Sequence, residues 1–274
     1  MLVWYNHFHT LIKKTIIVQE KRFVEIGSNL DKAVQGDYKL DVQAIFKEGW
    51  SLTKTNKQAI LSGLVFVFLM GIIITMVAAS YMGGIETVMQ NNQSQVAINL
   101  IITVLLWPFI AGIEMMGISH AVGIKTRTAF VFSFLKRSAY TAITALIIAS
   151  ITSLGFYLIL PGIYLAVALS LTIPLIVEKN MSPMTAIVLS LKATRFQWFK
   201  LLQIYSLLLL AAMLTLLPGF IGFPPLIALV IFFVAMGFLA PLYYNIKGIL
   251  YREIFGVRMQ VIGKPGEQDM FFSA

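Results

Sequence analysis

Cysteine is absent from the 274 residues, which excludes disulfides, thiolate metal sites and cysteine nucleophiles together. Histidine is scarce. His7, His9 and His120 are the whole complement, so a His-based metal centre would need two residues from the N-terminal stretch and one from a distant loop. No metal site is expected. Charge is scarce as well and leans one way, with 12% charged residues, 21 Lys/Arg against 12 Asp/Glu and a net charge of +9. The chain lacks a Walker A sequence, Gly-x-Ser-x-Gly, His-Glu-x-x-His and a dinucleotide fingerprint, and no apolar run holds a pair of carboxylates. These absences argue against an enzyme, and no cofactor is expected. A cleavable secretory signal is not expected either, because Met1–Gln58 carries nine Lys/Arg and no long apolar core.

What remains is apolar. Hydrophobic residues make up 58% of the chain and the mean hydropathy is +0.84, far outside the range of soluble domains. The expected fold is all-α: a polytopic membrane protein with six transmembrane helices in three hairpins. Spans fall at about 59–80, 96–118, 138–160, 161–177, 201–217 and 224–246, close to the ~20 residues that a bilayer requires. Ile159–Lys200 displays the repeating unit. Leu160-Pro161-Gly162 makes a tight turn and an apolar run follows to Val177. Ser182-Pro183 then supplies the cap and first turn of an amphipathic helix. That helix carries Met184, Ile187, Val188, Leu191 and Trp198 on one side. A second Leu-Pro-Gly stands at Leu217–Gly219. Val42–Lys57, which Asp41 would cap, and Thr128–Arg137 precede the other two hairpins, and all three segments are expected as interfacial helices. The spacing divides the chain into a cytoplasmic N-terminal extension over 1–40, for which poor order is one of two readings, a membrane domain over 41–256 and a cytoplasmic tail over 257–274.

Charge placement gives the orientation. The N-terminal segment holds nine Lys/Arg, and the second loop, the fourth loop and the C-terminal segment hold four each; the other loops hold none, with Glu86 their one acidic residue. Short basic loops stay in the cytoplasm, so both termini are expected there, in a bacterial inner membrane. Topology thus accounts for the net charge without nucleic acid. The expected partners are membrane lipids and a second membrane protein. Lys136, Arg137, Lys192, Arg195 and Lys200 are the candidates for lipid headgroups.

Two polar residues in the spans are ligand or ion candidates. Glu114 is the only acidic residue within an expected span, a position that is costly and therefore functionally suspect. Its bland alternative is a partner in the next loop, Lys125 or Arg127, or headgroup water. Asn245 follows Tyr243 and Tyr244, which would line a polar cavity or belong to an interfacial aromatic belt. Span residues such as Asn99, Thr144, Ser150 and Ser153 read as helix–helix hydrogen-bonding groups.

Leu160-Pro161-Gly162, the apolar span after it, Val177-Glu178-Lys179, Ala186-Ile187 with Ser190, Trp198 and Leu250-Tyr251-Arg252-Glu253 form a recognisable series. From Asp41 to Gly256 this series resembles the YciC-like family of bacterial inner-membrane proteins and the related membrane domains found beside glycerophosphodiester phosphodiesterases. The first forty residues depart from the pattern. The resemblance implies an all-α multi-span protein of the inner membrane and supplies no catalytic residues. The expected function is a non-enzymatic role in envelope or lipid homeostasis through lipid or protein contacts. The alternative is a transporter or channel for a small solute or lipid, using a cavity between the hairpins.

Overall fold

The computed structural model describes residues 22–262 and 269–272. His7, His9 and most of the expected N-terminal extension lie outside them. Strand β1 (Arg22–Ile26) comes first. Asn29 then accepts a hydrogen bond from the Lys32 amide and Gly36 turns left-handed at φ 78°, so the residues between them form helix α1, Leu30–Gln35. Asp41 caps the next helix through the amides of Gln43 and Ala44, at 2.9 and 3.1 Å. That helix, α2, runs unbroken from Val42 to Tyr81.

The unbroken run corrects an expectation. Val42–Lys57 does not lie as a separate surface helix but continues straight into the first span. No proline stands in the run, and Asn56-Lys57-Gln58 is no helix stop. The 40 residues of α2 extend roughly 60 Å at ~1.5 Å per residue. Helix α3 (Ile85–Gln90) fills the following turn, and Asn91 caps α4, Asn92–Ala121, which contains Pro108. Two 3₁₀ turns, Thr128–Phe132 and Leu135–Arg137, lead into α5, Ser138–Phe156. The return path is α6 (Leu160–Ala168) and α7 (Thr172–Glu178). Ser182 caps α8, Pro183–Thr194, and a 3₁₀ turn at Arg195–Gln197 joins it to α9, Trp198–Leu214. A single turn, α10 (Leu217–Phe220), precedes α11, Pro225–Phe255, which contains Pro241.

Six of these helical stretches are long and apolar enough to cross a membrane. The protein is an all-α, multi-pass membrane protein. The first, third and fifth stretches include the segments expected to be interfacial, at the end where the basic residues gather. There the chain also forms a small sheet. Strand β2 (Val257–Ile262) pairs antiparallel with β1 on one side and with β3 (Asp269–Phe272) on the other. Part of the expected tail is therefore strand, as is Arg22–Ile26 of the extension, which goes on into helix α1. Val257 and Met259 are buried while Arg258 between them is exposed, the alternation of a strand with one face on a core.

Burial is concentrated at the basic end. Helix α4 is buried without interruption from Ala111 to Ala121, and within α11 burial begins at Pro241. The main core joins Ile45 of α2, Met115 and Ile118 of α4, Leu171 just before α7 and Leu175 within it, and Ile249, Tyr251 and Phe255 of α11. Toward the other end Val65, Phe68 and Met76 of α2, Val96 and Leu100 of α4 and Leu226–Val234 of α11 turn apolar side chains outward. Lipid chains solvate such surfaces at no cost, so these halves need no tight mutual packing.

The segment before α2 is tied down by side chains. The Tyr38 hydroxyl donates to the Ala193 carbonyl at 2.7 Å, while Gln197 accepts from the Leu40 amide at 3.1 Å and donates to the Tyr38 carbonyl. Burial pushes the Tyr38 phenol up to about 12. Below pH 10 the phenol is protonated whether the chain is folded or not, and its contribution is intact. Between about pH 10 and 12 the unfolded chain ionises first, so stability falls. Unfolding in detergent should show this loss across that interval. Tyr38→Phe, which lacks a hydrogen bond worth about 1 kcal/mol, should start lower at pH 8 and fall less steeply.

Candidate functional site: a buried polar spine at a helix crossing

Glycine lets α4 and α11 touch. A Cβ on Gly117 would stand 2.0 Å from the Tyr244 carbonyl oxygen, and one on Gly248 would stand 2.2 Å from the Gly117 carbonyl oxygen. Real Cβ atoms do not approach backbone so closely, so two helices carrying larger residues at this crossing would stand apart. The contact brings polar side chains on either side of the crossing within hydrogen-bond reach.

On one side, Lys247 Nζ donates to Glu114 Oε1 at 2.5 Å, with both side chains buried. Glu114 is thus paired, but with neither Lys125 nor Arg127. Its partner comes from α11, which continues past Ile246 to Phe255 and carries Lys247 into the packed interior. The second carboxylate oxygen, Oε2, has no hydrogen-bond partner among the described residues.

On the other side, Asn245 is fixed by two neighbours. Its Oδ1 lies 2.8 Å from His120 Nδ1, and its Nδ2 donates to Thr53 Oγ1 at 3.0 Å. Thr53 passes its own hydrogen to the Gly49 carbonyl at 2.8 Å, and His120 Nε2 meets Thr126 Oγ1 at 2.9 Å. One assignment satisfies every member: a neutral imidazole that carries its proton on Nδ1, donates to Asn245 and accepts from Thr126. The network joins α2, α4 and α11, so Asn245 belongs to the helix interface and not to an aromatic belt.

A second polar layer lies closer to the sheet. Arg252 binds Glu48 through two nitrogens at 2.6 and 2.9 Å, donates to the Ala121 carbonyl at 2.6 Å and pairs with Glu253. Glu178, at the end of α7, accepts from the Tyr251 hydroxyl at 2.8 Å and from the Arg258 amide at 2.7 Å, and pairs with Lys179 at 3.3 Å. Leu250–Glu253 and Val177–Lys179, two of the motif pieces noted in the sequence, therefore meet through Tyr251 and Glu178. The same carboxylate anchors strand β2 to the helical domain.

The headgroup candidates are elsewhere, at the surface. Arg137 stands over the Tyr140 ring at 5.6 Å and Arg195 over the Phe196 ring at 4.6 Å. Lys192 edges a groove of about 400 Å³ lined by Val34, Met184, Thr185, Val188 and Leu189. Lys136 and Lys200 are exposed. The first hairpin has an equivalent, with Lys54 over Trp50 at 5.6 Å and Lys57 over Phe238 at 3.7 Å. Each hairpin is thus entered past a cation held against an aromatic ring, as suits side chains that stretch toward a headgroup layer.

The structure joins Glu114 and Asn245 to one spine and leaves the five basic candidates outside it. Lys247, His120 and Thr53 complete that spine, and none of them stands in a span of the expected length. A signal for Lys247 did exist: the helical pattern of the sixth span continues through Leu250-Tyr251-Arg252-Glu253, with no Pro and with Gly248 the one Gly between Ile246 and Gly256. Among the described residues no group of His, Asp and Glu is arranged to hold a metal ion. Comparison with protein-family models, with curated proteins and with solved structures finds no match for this chain.

Proposed function

We propose that this membrane protein acts without catalysis in envelope or lipid homeostasis, through contacts with lipids or with a second membrane protein, as the likeness to the YciC-like family implies. In this reading the basic end faces the cytoplasm of a bacterial inner membrane. One observation carries it: the polar groups inside the spans are largely spent on one another, whereas the exposed cations gather on aromatic rings where the hairpins begin. Such cations attract anionic lipid by about 1 kcal/mol each.

Purified protein titrated with phosphatidylglycerol and phosphatidylcholine, and read by native mass spectrometry, tests the proposal. The anionic lipid should be retained preferentially at low salt. A Lys192→Gln, Arg195→Gln, Lys200→Gln variant removes about 3 kcal/mol of attraction and should lower that retention roughly a hundredfold. Equal retention of the two lipids by the unaltered protein, together with an intact envelope in a deletion strain, would sink the proposal.

A second reading, a transporter or channel for a small solute or lipid, draws on Glu114 Oε2, a buried oxygen free to take a further partner. Against it stands the bonding of Asn245, the other polar group such a path would use.

A further inference from the structure

The two Leu-Pro-Gly turns differ in kind from the turn between α2 and α4, although all three lie away from the basic end. Between α2 and α4 the chain runs through Gly83, Gly84, Glu86, Gln90, Asn91, Asn92, Gln93 and Gln95, with the Asn91 side chain capping α4. That turn is made for water. The other two hairpins contain no charged residue at all between Arg137 and Glu178 or between Lys200 and Lys247. Their tips are apolar and stand clear of the rest of the protein: Tyr157 is 85% exposed, Leu160 77% and Phe220 84%. Water is a poor solvent for such tips, since exposed apolar area costs about 25 cal/mol per Å².

The backbone of these tips goes most of the way toward the opposite demand, that of hydrocarbon, where each unpaired amide costs several kcal/mol. In the first tip the amides of Tyr157, Leu158, Ile159 and Leu160 all bond to carbonyls of the turn or the last residues of α5, Pro161 has no amide hydrogen to place, and the Gly162 amide alone lacks a backbone partner among the described residues. In the second, the amides of Thr215, Leu216, Gly219, Ile221 and Phe223 are paired locally and Pro218, Pro224 and Pro225 carry none, while those of Leu217, Gly222, Leu226 and Ile227 have no backbone partner among the described residues. Length agrees. The 19 residues of α5, the 19 from Leu160 to Glu178 and the 17 of α9 reach about 26–29 Å at ~1.5 Å per residue, at or below the ~30 Å hydrocarbon core.

We infer that the tips of the second and third hairpins end within the hydrocarbon of the bilayer, covered by lipid acyl chains, and that the turn between α2 and α4 is the one that emerges into water on that side.

The natural absence of cysteine makes the test clean. Single cysteines replace Leu158, Phe220 and, as the water-exposed reference, Gln93. The full-length protein is held in lipid nanodiscs, where a charged maleimide reaches both faces and orientation does not matter. A thiol in hydrocarbon forms its reactive thiolate poorly, so Leu158→Cys and Phe220→Cys should label at least about tenfold more slowly than Gln93→Cys. All three should label equally once unfolded in dodecyl sulfate. Nitroxides at the same positions should be relaxed by dissolved oxygen at 158 and 220, and by a water-soluble nickel chelate at 93. Tyr157→Cys and Ile221→Cys serve in the same way where either tip variant fails to fold. Labelling at the tips as fast as at Gln93 would overturn the inference. So would nitroxides shielded from oxygen and nickel alike, which would place protein rather than lipid over the tips.

Discussion

Exchanging Lys247 for methionine is expected to destabilise the protein by about 3–5 kcal/mol, because it strands the Glu114 carboxylate in a packed interior with its one charged partner gone. The remaining Oε1 would then join Oε2, which already lacks a partner. Exchanging Glu114 for leucine strands the ammonium instead and should cost a similar amount. The double exchange should recover most of the loss, since apolar residues of like volume remove both desolvation penalties at once. Equilibrium unfolding of the four proteins in mixed dodecyl sulfate micelles closes the cycle. A cost below about 1 kcal/mol for Lys247→Met alone would mean that the pair does not hold α4 to α11. The doubly exchanged protein also separates the two functional readings. If it folds and retains its lipid preference and envelope phenotype, the pair is scaffold; if it folds and loses them, Glu114 takes part in function.

The residues that make this pair illustrate what the sequence disclosed. Glu114 stood out because a lone acid in a long apolar run is costly, a local property that any window displays. Lys247 did not, because a span of ~20 residues ends before it, whereas α11 runs on to Phe255 under the packing of its last turns against α2 and α4. The six spans themselves were legible for the same local reason: nothing but a membrane accommodates such runs. Their lower ends were not, since whether Val42–Lys57 lies on a membrane or continues a span depends on the neighbours that bury Ile45, Gly49 and Thr53. His120 read as a loop residue, and only the helix crossing brings it to Asn245. The sheet was hidden by distance, because Glu25 pairs with Arg258 from nearly the other end of the chain and each strand is too short to show a period of its own.

Gly248→Ala should prove strongly destabilising, although it adds a single methyl group. The new Cβ would lie 2.2 Å from the Gly117 carbonyl oxygen and 2.3 Å from its carbon; in Gly117→Ala the clash is with the Tyr244 carbonyl oxygen at 2.0 Å. Both obstacles are helix backbone, so no side chain can rotate to make room and α4 must move away from α11. That displacement stretches Glu114–Lys247 on one side of the crossing and His120–Asn245 on the other. The cost therefore lies at or above the upper end of the ~1–3 kcal/mol typical of overpacking, reduced by the ~1 kcal/mol that alanine gains over glycine in a helix. Gly237 supplies the control, being in the same helix with nothing within 4 Å of its hypothetical Cβ. Gly237→Ala should be neutral or stabilising by up to about 1 kcal/mol. Thermal unfolding of the three variants in one detergent decides the matter: equal midpoints for Gly248→Ala and Gly237→Ala would show that the two backbones do not touch there, and the polar spine would then need another explanation for its short distances.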